Sequence, residues 1–458
     1  MSLSWACFVH HNRLMKATRR ATCAAVALAT VAGLGAVPTT ASAFAEERTY
    51  YLDPLGSDDA DGLSPNSAWR SLERANRAVF APGTSVLLRG GAQFTGTLHL
   101  DADDAGTALS PVVIGSYGEG RATITGQAGP AVYVHNTAGV EVRDLVVAGD
   151  AEAYDGAGGI AFYNDGETGL QGVMISDVDV SGFSNGIEIG GLRTGFRDVA
   201  IIRAVVRDNK EAGLVTYGPD YRQDAPEYAH QNVSVSEVEA FRNAGDASNP
   251  VCNTGSGIIL GSVSDGFVTK SSAHDNGWLC AAGEGPVGIW TYDSTRVVIE
   301  HNVAYRGGGG DGDGDGFDLD QNTSDSVLQY NLAYDNDGAG FLLYAAHAGL
   351  HNTNNVVRYN VSTGSPTKAD WYGGITIAGH VSRARVYGNK AEAPVSGEPH
   401  PPVVRLSGAL SDVVLSDNVL ISGSGGPFVA ADGVDISAFT LRGNNYYDAD
   451  GWIGTDGP

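Results

Sequence analysis

Basic residues are scarce in this chain, with 28 Lys and Arg against 53 Asp and Glu over 458 residues and a formal net charge of -25. Such an excess of one sign argues against nucleic acid or an anionic membrane as a partner, and against a polyanionic substrate unless metal ions or local basic loops neutralise the site. Cysteine is nearly absent: of four, Cys7 and Cys23 lie in or before an N-terminal leader, which leaves Cys252 and Cys280. Beyond that leader no stretch approaches the roughly 20 apolar residues that span a bilayer. The leader itself is legible. Lys16, Arg19 and Arg20 precede the apolar run "CAAVALATVAGLGAV", which is followed by Ala41, Ser42 and Ala43. This is the order of a secretory signal over residues 1–43, with a mature chain expected near Phe44. A start at Met15 accounts for the preceding residues, which fit no part of that scheme. An exported, extracellular protein is expected, acting as a monomer on its substrate.

Two further absences concern architecture. The central region sustains no 3.6-residue helical period, and it lacks the turn signals every 8 to 12 residues that a β-sandwich requires. What is present is glycine, 63 residues of it, and a beat: Asn302, Asn331, Asn360, Asn389 and Asn418 follow one another at intervals of 29 residues. A buried amide stacked on its copy in the next layer satisfies its donors and acceptors as a ladder. Glycine-led alternating segments recur beside it, among them "GLVTY" at 213, "GIILG" at 257, "GIWTYD" at 288, "GFDLD" at 316, "GFLLY" at 340 and "GITIA" at 374. Short strands repeated once per turn in one long array predict an all-β solenoid, a parallel β-helix with coils about 4.8 Å apart. The array is expected over residues 111–445, after an N-terminal strand and helix cap at 44–110 and before a C-terminal tail at 446–458. Within the cap, "SAWRSLERANRAV" places Trp69, Leu72 and Ala75 at helical spacing behind an Asn66 or Ser67 cap, so a helix is expected to cover the open first coil.

The opening "TYYLDPLGSDDADGLSPNSAWRSL" resembles the start of bacterial secreted right-handed parallel β-helix proteins of the pectate-lyase-like superfamily. The resemblance extends over most of the mature chain, through "GFDLD" and "QYNLAYDNDGAGFLLY". It implies a right-handed β-helix and a carbohydrate-active protein. That superfamily holds lyases, hydrolases, epimerases and adhesins, so activity has to be argued from the site.

Taking the residue after each leading glycine as inward puts Leu214 and Thr216, Ile258 and Leu260, Ile289 and Thr291, Phe317 and Leu319, Phe341 and Leu343, Ile375 and Ile377 in the core. The outward set is then Glu188, Val215, Tyr217, Ile259, Trp290, Tyr292, Asp318, Asp320, Leu342, Tyr344 and Thr376. Two acids between Trp290, Tyr292, Tyr217 and Tyr344 have the form of a sugar cleft, since aromatic faces stack on pyranose C–H surfaces. Asp318 and Asp320, two apart on a strand, have roots roughly 6.5–7 Å apart. One proton donor with one nucleophile or base is what glycosidic cleavage needs, although solvated outward acids or metal ligands fit the same positions.

Ahead of this strand, Asp311, Asp313, Asp315 and Gly316 match the first half of an EF-hand loop, and the next coil offers Asp335 and Asp337. Calcium held by Asp311, Asp313, Asp315 and Asp335 is one expectation; a solvated acidic loop is the other, because Asn322 stands where the EF-hand glutamate belongs. Asp337 is alternatively a third catalytic acid. His347 and His380, in loops after strands, and Lys368, in "SPTKADWYG", are candidate substrate contacts. His347 and His351 have zinc-pair spacing, but Ala348 stands where that motif needs Glu. Cys252 and Cys280 precede strands on consecutive coils, so a disulfide is expected in an oxidising compartment, with two buried thiols as the alternative.

After the leader the chain has four lysines, Lys210, Lys270, Lys368 and Lys390, none on an outward strand position where the resemblance would place the base of a calcium-dependent lyase. The polygalacturonase motifs are missing as well, with only "AGHVSRAR" loosely echoing their last parts. The expectation is therefore a glycoside hydrolase acting on an extracellular or cell-wall glycan. A calcium-dependent lyase of uronide polymers is the alternative, and a non-catalytic adhesive β-helix the second.

Overall fold

The structure, a computed structural model, describes residues 48–457 except 128, 150–156, 252, 311, 369–370, 395–399 and 424. The leader, the Cys252–Cys280 pairing and Asp311 lie outside the described residues, while Cys280 is buried.

One short strand per coil builds a twelve-stranded parallel sheet. Its strands are β1 Leu98–Leu100, β2 Val132–His135, β3 Gly158–Asn164, β4 Asn185–Gly191, β5 Ala212–Tyr217 and β6 Ser256–Gly261. They continue as β7 Val287–Tyr292, β8 Asp315–Leu319, β9 Phe341–Ala345, β10 Ile375–Gly379, β11 Val404–Gly408 and β12 Val429–Asp432. The other described strands pair coil on coil into a second, 29-stranded system that closes the solenoid. Leu214, Ile258, Ile289, Phe317, Phe341 and Ile375 stack in one register and are at most 1 % exposed, as their inward assignment requires. The two threonines in that inward set are satisfied without water: Thr216 Oγ1 donates to Gly261 O at 2.9 Å and Thr291 Oγ1 to Leu260 O at 2.7 Å.

The N-terminal boundary differs from expectation. Thr49–Leu52 already pairs in parallel with Ser85–Arg89, which pairs with Val112–Tyr117, so the stack begins inside the segment expected to be a cap. The helix is also shorter, α1 Leu72–Ala75, because Trp69 forms a β-bridge with Leu52 and Ser71 caps the turn by accepting from Arg74 N–H. Trp69, Leu72 and Ala75 do enter the core, each at most 2 % exposed. At the other end, Asn445–Asp448 pairs with Val419–Ser422, and Gly451–Thr455 folds back on it antiparallel, so the tail is a hairpin on the last coil.

The asparagine ladder is present. Nδ2 of Asn302, Asn331, Asn360, Asn389 and Asn418 each donates to Oδ1 of the next, at 2.9–3.1 Å, and the series runs on to Asn444, whose Nδ2 donates to Asp456. The second amide hydrogen goes to a backbone carbonyl, such as Leu328 O from Asn360. A second ladder joins Asn209, Asn243 and Asn276, which the 29-residue interval does not reveal because these coils are longer. Asn360→Leu strips the acceptor from the backbone N–H and Nδ2 of Asn331. Two buried donors without partners cost about 1–3 kcal/mol each. Urea unfolding should register that loss, and a smaller one for Asn360→Ser, since Ser271 already accepts a backbone N–H in the same column; equal losses for Leu and Ser would refute the ladder as the stabilising element.

Candidate active site

The outward face of the twelve-stranded sheet carries the site. Parallel pairing sets Glu188, Val215, Ile259, Trp290, Asp318, Leu342 and Thr376 in one axial row. Two residues further along each strand, Tyr217 pairs with Gly190, Tyr292 with Gly261 and Tyr344 with Ala378, and Asp320 follows the end of β8. Glycine at 261 is a packing requirement: a Cβ there would meet the Tyr292 ring at 2.4 Å. The tyrosine therefore lies along the sheet instead of standing off it.

A cleft of about 780 Å³ runs over this face. Its floor includes Trp290, Tyr292, Asp318, Asp320, Leu342, Tyr344 and Thr376. One wall is the segment 218–229, which leaves β5 and reaches the coil of β9, where the Tyr221 and His351 rings are 5.8 Å apart. Four coil steps amount to about 19 Å. The opposite wall holds Asn253, Glu284, Gly285, Asp313, Trp371 and Tyr372. Seven acids line the cleft (Asp220, Glu227, Glu284, Asp293, Asp313, Asp318 and Asp320), with Arg222 the one basic side chain among the described lining residues.

Four carboxyls converge on one coil. Gly316 breaks the strand alternation, since a Cβ there would face Ala333 and Asn336 on the core side, and Asp315 before it is thereby freed to join the face of Asp318 and Asp320. Asp315 is fully buried beneath the cleft, and its Oδ1 accepts from Ala339 N–H. Asp313 accepts from Gly285 N–H at 2.6 Å and from Tyr372 Oη at 2.5 Å. Asp318 Oδ1, Asp320 Oδ1 and Asp315 Oδ2 are buried with no hydrogen-bond partner. Burial, reinforced by the neighbouring carboxylates, pushes Asp315 and Asp318 well above the ordinary carboxylate range. Burial lifts Asp320 to about 8 and Asp293 to about 7. Asp313 is raised by burial and pulled back by its two donors.

The expected site residues separate accordingly. Asp318, Asp320, Trp290, Tyr292, Tyr344 and Tyr217 meet at the cleft. Glu188 does not line it; its carboxylate accepts from Tyr217 Oη at 2.6 Å and so orients that ring. Asp337 is not a cleft acid. Its carboxylate is spent on Gly309 N–H, Thr367 Oγ1 and Lys368 Nζ at 3.1, 2.8 and 2.6 Å, which also keeps Lys368 away from the cleft. His347 is exposed in the loop past β9, and His380 likewise falls beyond its strand; neither is among the described cleft-lining residues. Asp335 is exposed and borders a separate depression with Glu392, so it does not join Asp313 and Asp315 as a ligand set. Among the described residues no group of three or more His, Cys, Asp or Glu is arranged to hold a metal ion. Tyr372, Trp371, Glu284, Asp293 and the 218–229 wall went unnoticed in the sequence. The signal for the wall was the 44-residue interval between Gly213 and Gly257, and that for the aromatics was "DWYG".

Residues 228–391 match the family model described as a right-handed β-helix region. A lacto-N-biosidase of Bifidobacterium longum is 39% identical over 84 residues, which are 18% of this chain and 5% of that protein. The chain thus matches only a small part of that relative's length. Among solved structures, the GH136 lacto-N-biosidase from Eubacterium ramulus superposes with a TM-score of 0.63 at 18% identity, covering 87% of this chain and 68% of the other. The A-module of an Azotobacter vinelandii mannuronan C-5 epimerase gives 0.58 at 16% identity, covering 78% and 91%. What these likenesses share with the geometry above is the architecture, a right-handed parallel β-helix.

Proposed function

We propose that the protein is an exported glycoside hydrolase that cleaves a neutral glycan, with Asp318 and Asp320 as its reacting carboxyls and Asp313 beside them. The observation that carries this reading is the convergence of three carboxyls, two with an unpartnered buried oxygen, on the lining of a cleft floored by Trp290, Tyr292 and Tyr344. Closely spaced buried acids cannot all ionise, so at least one holds a proton near neutral pH and can pass it to a glycosidic oxygen. An ionised neighbour then serves as nucleophile or base. The likeness to lacto-N-biosidases supports hydrolysis of an oligosaccharide. Export is supported by the leader over residues 1–43.

Charge favours a neutral substrate. Elimination on a uronide needs a base and a positive field at the sugar carboxylate. Among the described lining residues seven acids face one arginine, and Lys368 is committed to Asp337.

Incubation with a polysaccharide and oligosaccharide panel should release reducing ends without the absorbance of unsaturated uronides; absorbance would instead establish a lyase. Asp318→Asn and Asp320→Asn should each lose about 1000-fold or more in kcat, within the range of acid–base catalysis, and full activity in both would sink the assignment. The pH dependence follows from the sign of the shift. The donor must be protonated, and Asp318 and Asp320 are both held above the ordinary carboxylate range, Asp320 at about 8, so activity should persist through neutral pH and fall only on the alkaline side. An alkaline limb below pH 6 in the rate profile would show that an ordinary, unshifted carboxyl is the donor.

A further inference from the structure

We propose that Tyr372 is a positioning residue that fixes the Asp313 carboxylate in the cleft, an assignment that takes its catalytic consequence from the hydrolase reading. Tyr372 is 9 % exposed and lies in the connection that leads into β10. That connection is tied down at Asp337, to which Thr367 Oγ1 and Lys368 Nζ both donate. The same carboxylate accepts Gly309 N–H, so one buried acid joins the connection before β10 to the loop that carries Asp313. With the two loops joined, Tyr372 Oη meets Asp313 Oδ1 at 2.5 Å, and the backbone N–H of Gly285, on the coil before, meets Oδ2 at 2.6 Å.

Asp313 thus differs from Asp318 and Asp320, the other two acids that its coil gives to the cleft. Both of its oxygens have a donor, whereas Asp318 and Asp320 each keep one buried oxygen without one. A carboxylate gripped at both oxygens is fixed in plane and supported in its charged form. The two grips come from different coils, so the carboxylate bridges the wall of the cleft. Removing the tyrosine hydroxyl leaves one grip and a free rotation about the Asp313 side chain. The aromatic ring of Tyr372 also faces the cleft, and ring and hydroxyl have separable roles: the ring offers a sugar platform, the hydroxyl holds the acid.

Tyr372→Phe keeps the ring and deletes the hydroxyl. On the glycan that the panel identifies, kcat should fall about 10- to 100-fold with KM within about 2-fold. Tyr372→Leu, which also removes the ring, should raise KM in addition. The second measurement needs no substrate: hydrogen exchange at the Gly285 amide should speed up about 10-fold in Tyr372→Phe, because its acceptor is no longer held in place. A loss confined to KM in Tyr372→Phe, or an unchanged Gly285 amide, overturns the positioning role. If the wild-type protein cleaves nothing on the panel, the hydrolase reading fails, and the Gly285 exchange alone decides whether Tyr372 positions Asp313.

Discussion

Everything in this molecule depends on the parallel hydrogen-bonded stacking of one coil on the next. At about 4.8 Å per step, a residue's nearest outward neighbour is the residue in the same register one coil away, not the one beside it in sequence. That constraint turns a run of unremarkable short strands into rows of side chains. Trp290, Asp318 and Leu342 are adjacent because β7, β8 and β9 are in register, although 52 residues separate the first from the last. Asparagine enforces the register inside the wall: the amide of Asn360 reaches its counterparts only if both neighbouring coils sit at the right height. A slip of one residue breaks the ladder and turns the strand's core face outward at once.

The same stacking explains why much of the architecture was legible. A 29-residue beat and glycine-led strands suffice to specify a parallel solenoid, and alternation then assigns inward and outward residues, as the stack from Leu214 to Ile375 shows. Legibility ends where the chain leaves the repeat. Asp315 was expected in an edge loop because it completes the EF-hand-like series Asp311, Asp313, Asp315; the approach of Ala333 and Asn336 to Gly316 shows that the alternation changes phase there and puts it with Asp318. Asp337 and Lys368 looked like candidates for chemistry because nothing local shows that they bind each other across two loops. The second asparagine ladder escaped for the opposite reason, its amides being 33 and 34 residues apart where loops lengthen the coils.

Loops that interrupt the beat are also where the cleft acquires its walls. The floor comes from the repeat and the sides from departures from it: the 218–229 segment on one side, Gly285, Trp371 and Tyr372 on the other. This division separates two demands. Strands held on both edges keep the reacting carboxyls in place, while loops carry the groups that select a ligand.

Four carboxyls on one coil, three of them with an oxygen buried and unpartnered, oppose folding of that coil, since each must be desolvated or protonated. At either end of a solenoid such a coil would have one partner and would fray. β8 has seven strands of its sheet before it and four after it, and its backbone is hydrogen-bonded to β7 and β9 on both sides. Local strain is tolerated where the surrounding structure over-determines it, and in a one-dimensional stack that condition is met in the interior. A cluster whose acids are raised by burial, and further by one another's proximity, therefore belongs mid-stack, where nearest-neighbour coils supply the stability that the acids withdraw.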